Sequence, residues 1–397
     1  MHIKCTNGTP TVDMLDHLPP LPLFINYRSI PRLTEQDVLG IYHALRLHDR
    51  VYHVDLEPQP SILQKVFVLM GGYFPILEYL SFTFSATSKY DLPLILPKAF
   101  LAPNLHHLAL PHISPSRRLR VLTSTDSLVK LELSKIQTSS YFRPRLLVAR
   151  LSSLPRLEEL SIGFSIPIPR PSAERELLGE QGTPLTLPSL TDLWFKGTGA
   201  YLESLVAQIR APRLERLRVT LFNQIAFALP HLFHFINTIE EFKPRAMVSF
   251  DCKGVSITMA HSFSTCSMEL FRLRVICKPF DWQIDCAAQF CNALMPTLSG
   301  VKQVTLECSY NFQIPTALED GAIEWHELLR SLIGVKELDV YKVFLKGLSR
   351  TLQEDEVGLD PGFLPNLRSI RAKDNMFTSF INTRQVVGRP VEFVDWY

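Results

Sequence analysis

The chain has 397 residues, 46% hydrophobic and 20% charged, a globular composition with enough apolar residues for a large core. Its formal net charge of +2 supplies no strong field toward nucleic acid or an anionic membrane, and its apolar runs fall short of the ~18 residues a membrane span needs. Seven Cys, odd in number and irregular in spacing, read as reduced thiols in the cytosol or nucleus.

The N-terminus, MHIKCTNGTP, lacks the basic region and apolar core of a signal peptide, so the sequon Asn7-Gly8-Thr9 is expected to stay unglycosylated. Residues 1–33 read as an irregular segment and residues 34–397 as one repetitive domain. In 35–48, EQDVLGIYHALRLH, the residues Val38, Ile41, Tyr42 and Leu45 share one helical face. Val51–Leu56 reads as a strand, and 61–70 as a helix.

A phrase then begins to recur. Pro75-Ile76-Leu77 leads to Leu80 and Phe82; Pro103-Asn104-Leu105 to Leu108 and Leu110; Ser127-Leu128 to Leu131 and Leu133. Pro155-Arg156-Leu157 leads to Leu160 and Ile162; Pro188-Ser189-Leu190 to Leu193 and Phe195; Pro212-Arg213-Leu214 to Leu217 and Val219. Gly300-Val301 leads to Val304 and Leu306; Gly334-Val335 to Leu338 and Val340; Pro365-Asn366-Leu367 to Ile370 and Ala372. The shared form is P/G-x-L-x-x-L-x-L. Successive anchors are 28, 23, 29, 33, 24, 87, 34 and 32 residues apart, the spacing of an irregular leucine-rich repeat except for the 87. That gap has room for about three units, and strand-like runs fill it at Val248–Phe250, Val255–Met259 and Leu270–Ile276.

L-x-L is a short strand with alternate side chains buried, and Pro keeps a preceding helix from continuing into it. Helical patterns at 142–152, 200–209, 282–295, 323–333 and 376–386 return the chain. One strand and one helix cannot bury a core alone, so neighbours must stack. The expected fold is α/β: a leucine-rich-repeat-like solenoid, a horseshoe with a parallel sheet of roughly a dozen strands on its concave side and helices on its convex side. The segments 166–188, rich in Pro, Gly and charge, and 354–362, which ends in Asp-Pro-Gly, read as exposed loops.

Catalytic signatures are few. The chain has no G-x-S-x-G, Walker or G-x-G-x-x-G motif, and no cofactor is expected. Gly71-Gly72 reads as the end of a helix. His231 and His234, three apart, could share a helix face as metal ligands, but no acidic or Cys ligand stands beside them in sequence. Cys286 and Cys291 read as buried thiols. Glu324, His326 and Glu327 in AIEWHELLR lack the second His of a zinc helix. The expectation is neither an enzyme nor a metal site.

The strands offer more. Flanking the second Leu, two columns face the concave side. One runs Ser81, Ala109, Glu132, Ser161, Trp194, Arg218, Thr305, Asp339, Arg371; the other Tyr79, His107, Lys130, Glu159, Asp192, Arg216, Gln303, Glu337, Ser369. Trp194 with Arg216 and Arg218 on the next repeat is the candidate partner-binding cluster, since Trp and Arg dominate interface energetics. A protein partner on the concave face is therefore expected, with the 166–188 loop as the other candidate surface. A nucleic-acid partner is not expected, because Glu and Asp alternate with Arg. A hydrolase drawing His and Asp from separate repeats is the weaker alternative.

Phrases such as "LPPLPLFI", "GIYHALRLHDRVYHVDL", "PKAFLAPNLHHLALP", "TSSYFRPRLLVARLSSLPRLEELSIGFSIPIPRP" and "FTSFINTRQVVGRPV" resemble an expanded family of basidiomycete fungal F-box proteins with a leucine-rich-repeat-like C-terminal region. The resemblance runs from about residue 3 to the end. It implies the substrate-recognition part of a ubiquitin-ligase receptor. The F-box itself, a helical module that opens on Leu-Pro and closes near Cys-x-x-Trp, is not found, and Leu18-Pro19 opens a Pro-rich stretch instead. Thr11–Ile25 resembles the segment that follows the F-box. Binding to the cullin-ligase adaptor is thus expected only if an F-box lies upstream; without one the chain reads as a fragment or a paralogue with no ligase role.

Overall fold

The recurring Pro has a local reason. The amide of the anchor Leu bonds the carbonyl three residues back, Leu105 to Ala102 at 3.3 Å, Leu157 to Leu154 at 3.2 Å, Leu367 to Leu364 at 3.0 Å. That closes a β-turn with Pro at its second position, where the ring's fixed φ is preorganised. In the computed structural model, which describes residues 1–7, 9, 12–28, 33–57, 59–83, 97, 99–111, 121–137, 141–166, 184–222, 229–237, 245–260, 269–277, 280–294, 300–308, 325–354 and 364–395, this turn starts one repeat after another.

The residue after the Pro ties each turn to the one before. Asn104 Nδ2 donates to the Pro75 carbonyl at 2.7 Å, Ser189 Oγ to that of Pro155 at 3.1 Å, and Asn366 Nδ2 to that of Ile333 at 3.0 Å. The backbone repeats a second link: the amides of His106 and His107 share the Glu78 carbonyl, those of Glu158 and Glu159 share Val129's, and those of Arg368 and Ser369 share Lys336's. All three apolar positions of all nine phrases are buried. The phrase is therefore a structural unit, not a coincidence of composition.

The chain divides into two compact units, Met1–Leu214 and Glu215–Tyr397. The first holds β1 (Ile3–Cys5), β2 (Leu23–Tyr27), β3 (Val51–Leu56), β4 (Tyr79–Phe82), β5 (His107–Ala109), β6 (Lys130–Ile136), β7 (Glu159–Phe164), β8 (Leu185–Thr186), β9 (Asp192–Gly197) and β10 (Ile209–Arg210). Eight of these, β1 to β7 and β9, form one sheet in sequence order, and every pair is parallel. β8 and β10 pair separately. Residues 1–33, expected to be irregular, instead contribute β1, the helix Val12–His17 and β2.

Helices cover the face that carries the Leu and Phe side chains. The helix Glu35–Arg46 opens on a capping box: the Asp37 amide donates to Thr34 Oγ1, and the Thr34 amide to Asp37 Oδ2. The helices Pro60–Leu69 and Pro144–Leu151 begin with Pro, whose missing N–H has no intrahelical partner there anyway. Phe67 of the former meets Phe82 of β4 edge-on, and Phe142, Phe164, Phe195 and Tyr201 interlock beneath β7 and β9.

The second unit holds β11 (Arg216–Phe222), β12 (Arg245–Asp251), β13 (Gly254–Ala260), β14 (Phe271–Ile276), β15 (Gln303–Cys308), β16 (Glu337–Val340), β17 (Ser369–Ala372) and β18 (Glu392–Asp395). Their order is β11-β14-β13-β12-β15-β16-β17-β18. Here the expectation of an all-parallel sheet is corrected. The 87-residue gap does hold three strands, but β13 runs antiparallel to both β12 and β14. β14, not β12, lies beside β11. The tight turn between β12 and β13 explains the reversal: the Lys253 amide donates to Asp251 Oδ1 at 2.7 Å, an Asx turn closing a two-residue hairpin. β12 and β14 keep the direction of the other strands, so the meander enters the sheet without breaking it. Phe250, Phe280, Trp325 and Phe344 form the aromatic centre of this unit's core.

Candidate interaction surface

In the first unit the sheet face away from the helices carries two in-register rows. One reads Phe24, His53, Tyr79, His107, Lys130, Glu159, Asp192 from β2 to β9. Parallel in-register pairing places like positions side by side, and here it stacks rings. Phe24 lies on His53 with centroids 3.8 Å apart, His53 on Tyr79 at 4.1 Å, and Tyr79 on His107 at 4.2 Å, all near parallel. His2 adds a tilted ring 5.2 Å from Phe24. The ladder ends at an ion pair, Lys130 Nζ to Glu159 Oε2 at 2.6 Å.

Burial between rings holds His53 neutral, pushing its pKa down to about 4, with His107 and His2 adding repulsion. His107 also falls to about 4, first by burial and then through Lys130, partly offset by Glu159. The unfolded chain takes up these protons near the ordinary histidine value, the ladder only near pH 4. Stability carried by the ladder is full above about pH 6.5 and is lost as pH falls from there toward 4. Asp55, whose carboxyl burial raises, contributes with the opposite sign. Thermal melts between pH 7 and pH 4 should show a falling midpoint, and His53→Phe with His107→Phe, which keeps the stack, should flatten that slope. An unchanged slope would mean that the ladder is not its source.

The second row reads Asn26, Asp55, Ser81, Ala109, Glu132, Ser161, Trp194. Asp55 is buried, with Oδ2 3.7 Å from Arg28 Nη1. Trp194 is half-buried and lies across the neighbouring strand over Gly163, where a Cβ would come 2.8 Å from its ring. Gly163 thus makes the berth in which the indole rests on the sheet. The competing 166–188 loop falls largely outside the described residues, which include only Ile166 and 184–188 of it, the latter with β8.

Of the three residues singled out from sequence, Trp194 belongs to the first unit, and Arg216 and Arg218 project from one face of β11 in the second. The register sets Arg218 opposite Arg272 and Thr220 opposite Arg274. Arg272 pairs with Glu269, and Arg274 with Asp251. Sequence reading missed Arg272 and Arg274. The signal was present, since Arg-Leu-Arg-Val occurs at both 216–219 and 272–275, but only the skipped strand order makes the two copies neighbours. Further along, Gln303 Nε2 donates to Asp339 Oδ2 at 2.7 Å and Arg371 Nη1 lies 3.5 Å from Asp339 Oδ1, a network that satisfies itself.

The weaker chemical candidates do not assemble. His231 and His234 are exposed on the helix Pro230–Asn237. Cys286 and Cys291 are buried in the helix Phe280–Ala293. Glu327 pairs with Arg330 at 3.1 Å and Trp325 is fully buried, while Glu324 lies outside the described residues. Among the described residues no group of three or more His, Cys, Asp or Glu is placed to hold a metal ion, and no helix is long and apolar enough to cross a membrane. No protein-family model matches the chain, and no curated protein matches it.

Proposed function

We propose that this chain is a non-catalytic protein-interaction scaffold, a leucine-rich-repeat-like solenoid whose sheet face receives a partner protein. The observation that carries the reading is the division of labour along most strands of the sheet, the fully buried β13 excepted. The apolar side chains lie under helices, and the opposite face presents in-register rows of rings, hydroxyls and charges of both signs. Mixed charge with stacked aromatics suits a protein surface better than a phosphate backbone. Presenting a captured protein for ubiquitination is the role implied by the resemblance to fungal F-box proteins, and it would need an F-box in addition to this face. The free thiols, Cys5, Cys252, Cys277, Cys286, Cys291 and Cys308 among the described residues, accord with a cytosolic or nuclear setting.

The test is partner capture by the purified full chain against surface variants. Trp194→Ala and Glu337→Lys alter the sheet face; Lys65→Glu and Arg145→Glu alter exposed helix positions. Quantitative mass spectrometry should show specific partners lost about tenfold with the first pair and retained with the second, the effect of removing interface anchors. Partners lost only with the helix variants would place binding on the other side and defeat the proposal.

A further inference from the structure

We infer that the face shared by β11 and β14 docks a short acidic segment of the partner, its carboxylates gripped by Arg218, Arg272 and Arg274. The inference rests on the scaffold reading and adds the chemistry of what is bound.

Three observations carry it. The register puts Arg218 directly beside Arg272, strands about 4.8 Å apart, where like charges oppose folding unless something anionic lies over them. The internal counter-charge is incomplete: Glu269 answers Arg272 and Asp251 answers Arg274, while Arg218 is exposed and pairs with no carboxylate among the described residues. The Nε–H of Arg272 is buried with no hydrogen-bond partner among them, a donor still to be satisfied. Guanidinium groups suit carboxylates because their forked donors match the two oxygens.

The extent of the patch selects a short segment over a long polyanion. Next across the sheet come the neutral Thr258 and Ser256 on β13, then Ser249 on β12, where Arg245 at one end of the strand is exposed and Asp251 at the other is the partner of Arg274. The same face turns acidic at Glu307 on β15 and at Asp339 on β16, roughly 19 to 24 Å from β11 at the usual strand spacing. A nucleic acid laid along this face would run into those carboxylates; two or three Asp or Glu side chains would not.

Fluorescence anisotropy with a fluorescein-labelled octaglutamate peptide and the full chain tests this, alongside a labelled uridine oligonucleotide. Octaglutamate should bind, weaken as salt is raised, and lose at least about tenfold in affinity with Arg218→Glu, with Arg218→Lys between the two. Arg218 is exposed, so circular dichroism should show both variants folded. Equal affinity of wild type and Arg218→Glu would overturn the inference. So would an oligonucleotide that binds more tightly than octaglutamate and depends on Arg218. If octaglutamate fails to bind while Trp194→Ala and Glu337→Lys still lose captured partners, the acidic specificity is wrong and the scaffold reading stands.

Discussion

Gly254→Val should be among the most destabilising single substitutions in the second unit, costing about 3–5 kcal/mol, toward the upper tail for point mutants. A Cβ at Gly254 would overlap the carbonyl oxygen of Val275 on the adjacent β14. That obstacle is backbone, which cannot rotate aside, and it lies inside the β13–β14 ladder. The strand can make room only by giving up pairing at the hairpin end. All seven residues of β13 are buried, so freeing it would expose Val255, Ile257 and Met259 together. Urea denaturation monitored by circular dichroism checks the figure. A loss under ~1 kcal/mol would show that β13 does not approach β14 so closely.

Leu160→Ala and Leu217→Ala should each cost about 2–5 kcal/mol, the range for truncating a buried Leu. Leu160 is in register with Leu131 on one side and Leu193 on the other, and all three are buried. Leu217 is fully buried opposite Phe271. Because each repeat contacts its neighbours, Leu160→Ala should be non-additive with Leu193→Ala by about 0.5 kcal/mol or more, and additive with Ile370→Ala. Equal additivity with both partners in denaturation measurements would contradict a stacked core.

The repeat was legible because its three apolar positions do one job each. The anchor closes a turn and the next two point under the helices, so Leu, Ile, Val or Phe returns at fixed spacing. The helix at 35–46 was legible from its apolar face. β2 was not: LFINY alternates, but the Pro19-Pro20-Leu21 before it stands one residue out of phase with the buried Leu23 and Ile25, within a Pro-rich stretch. Missing β2 hid Phe24, one end of the ring ladder; His53 lies on β3, whose strand was legible but which no repeat phrase tied to the Tyr79–His107 column. Strand order in the second unit was out of reach for a different reason. Side-chain alternation has the same period in parallel and antiparallel strands, so Val248–Phe250, Val255–Met259 and Leu270–Ile276 announce strands without direction. Direction came from the short Asp-Cys-Lys-Gly turn; β13 is the middle strand whether β12 or β14 adjoins β11, so neither alternation nor burial sets that order.

The candidate site depends on that neighbour choice, because only β14 beside β11 gathers four arginines on one face. The most direct test is thiol crosslinking with a short bismaleimide, in a chain whose Cys252, Cys266 and Cys308 are replaced by Ser. Thr220→Cys with Arg274→Cys should crosslink rapidly in the native state, since these positions are in register on adjacent strands. Thr220→Cys with Ser249→Cys should not, because two strands intervene and the positions lie roughly 14 Å apart. Efficient crosslinking of the second pair and not the first would place β12 beside β11, dissolve the arginine cluster and contradict the account.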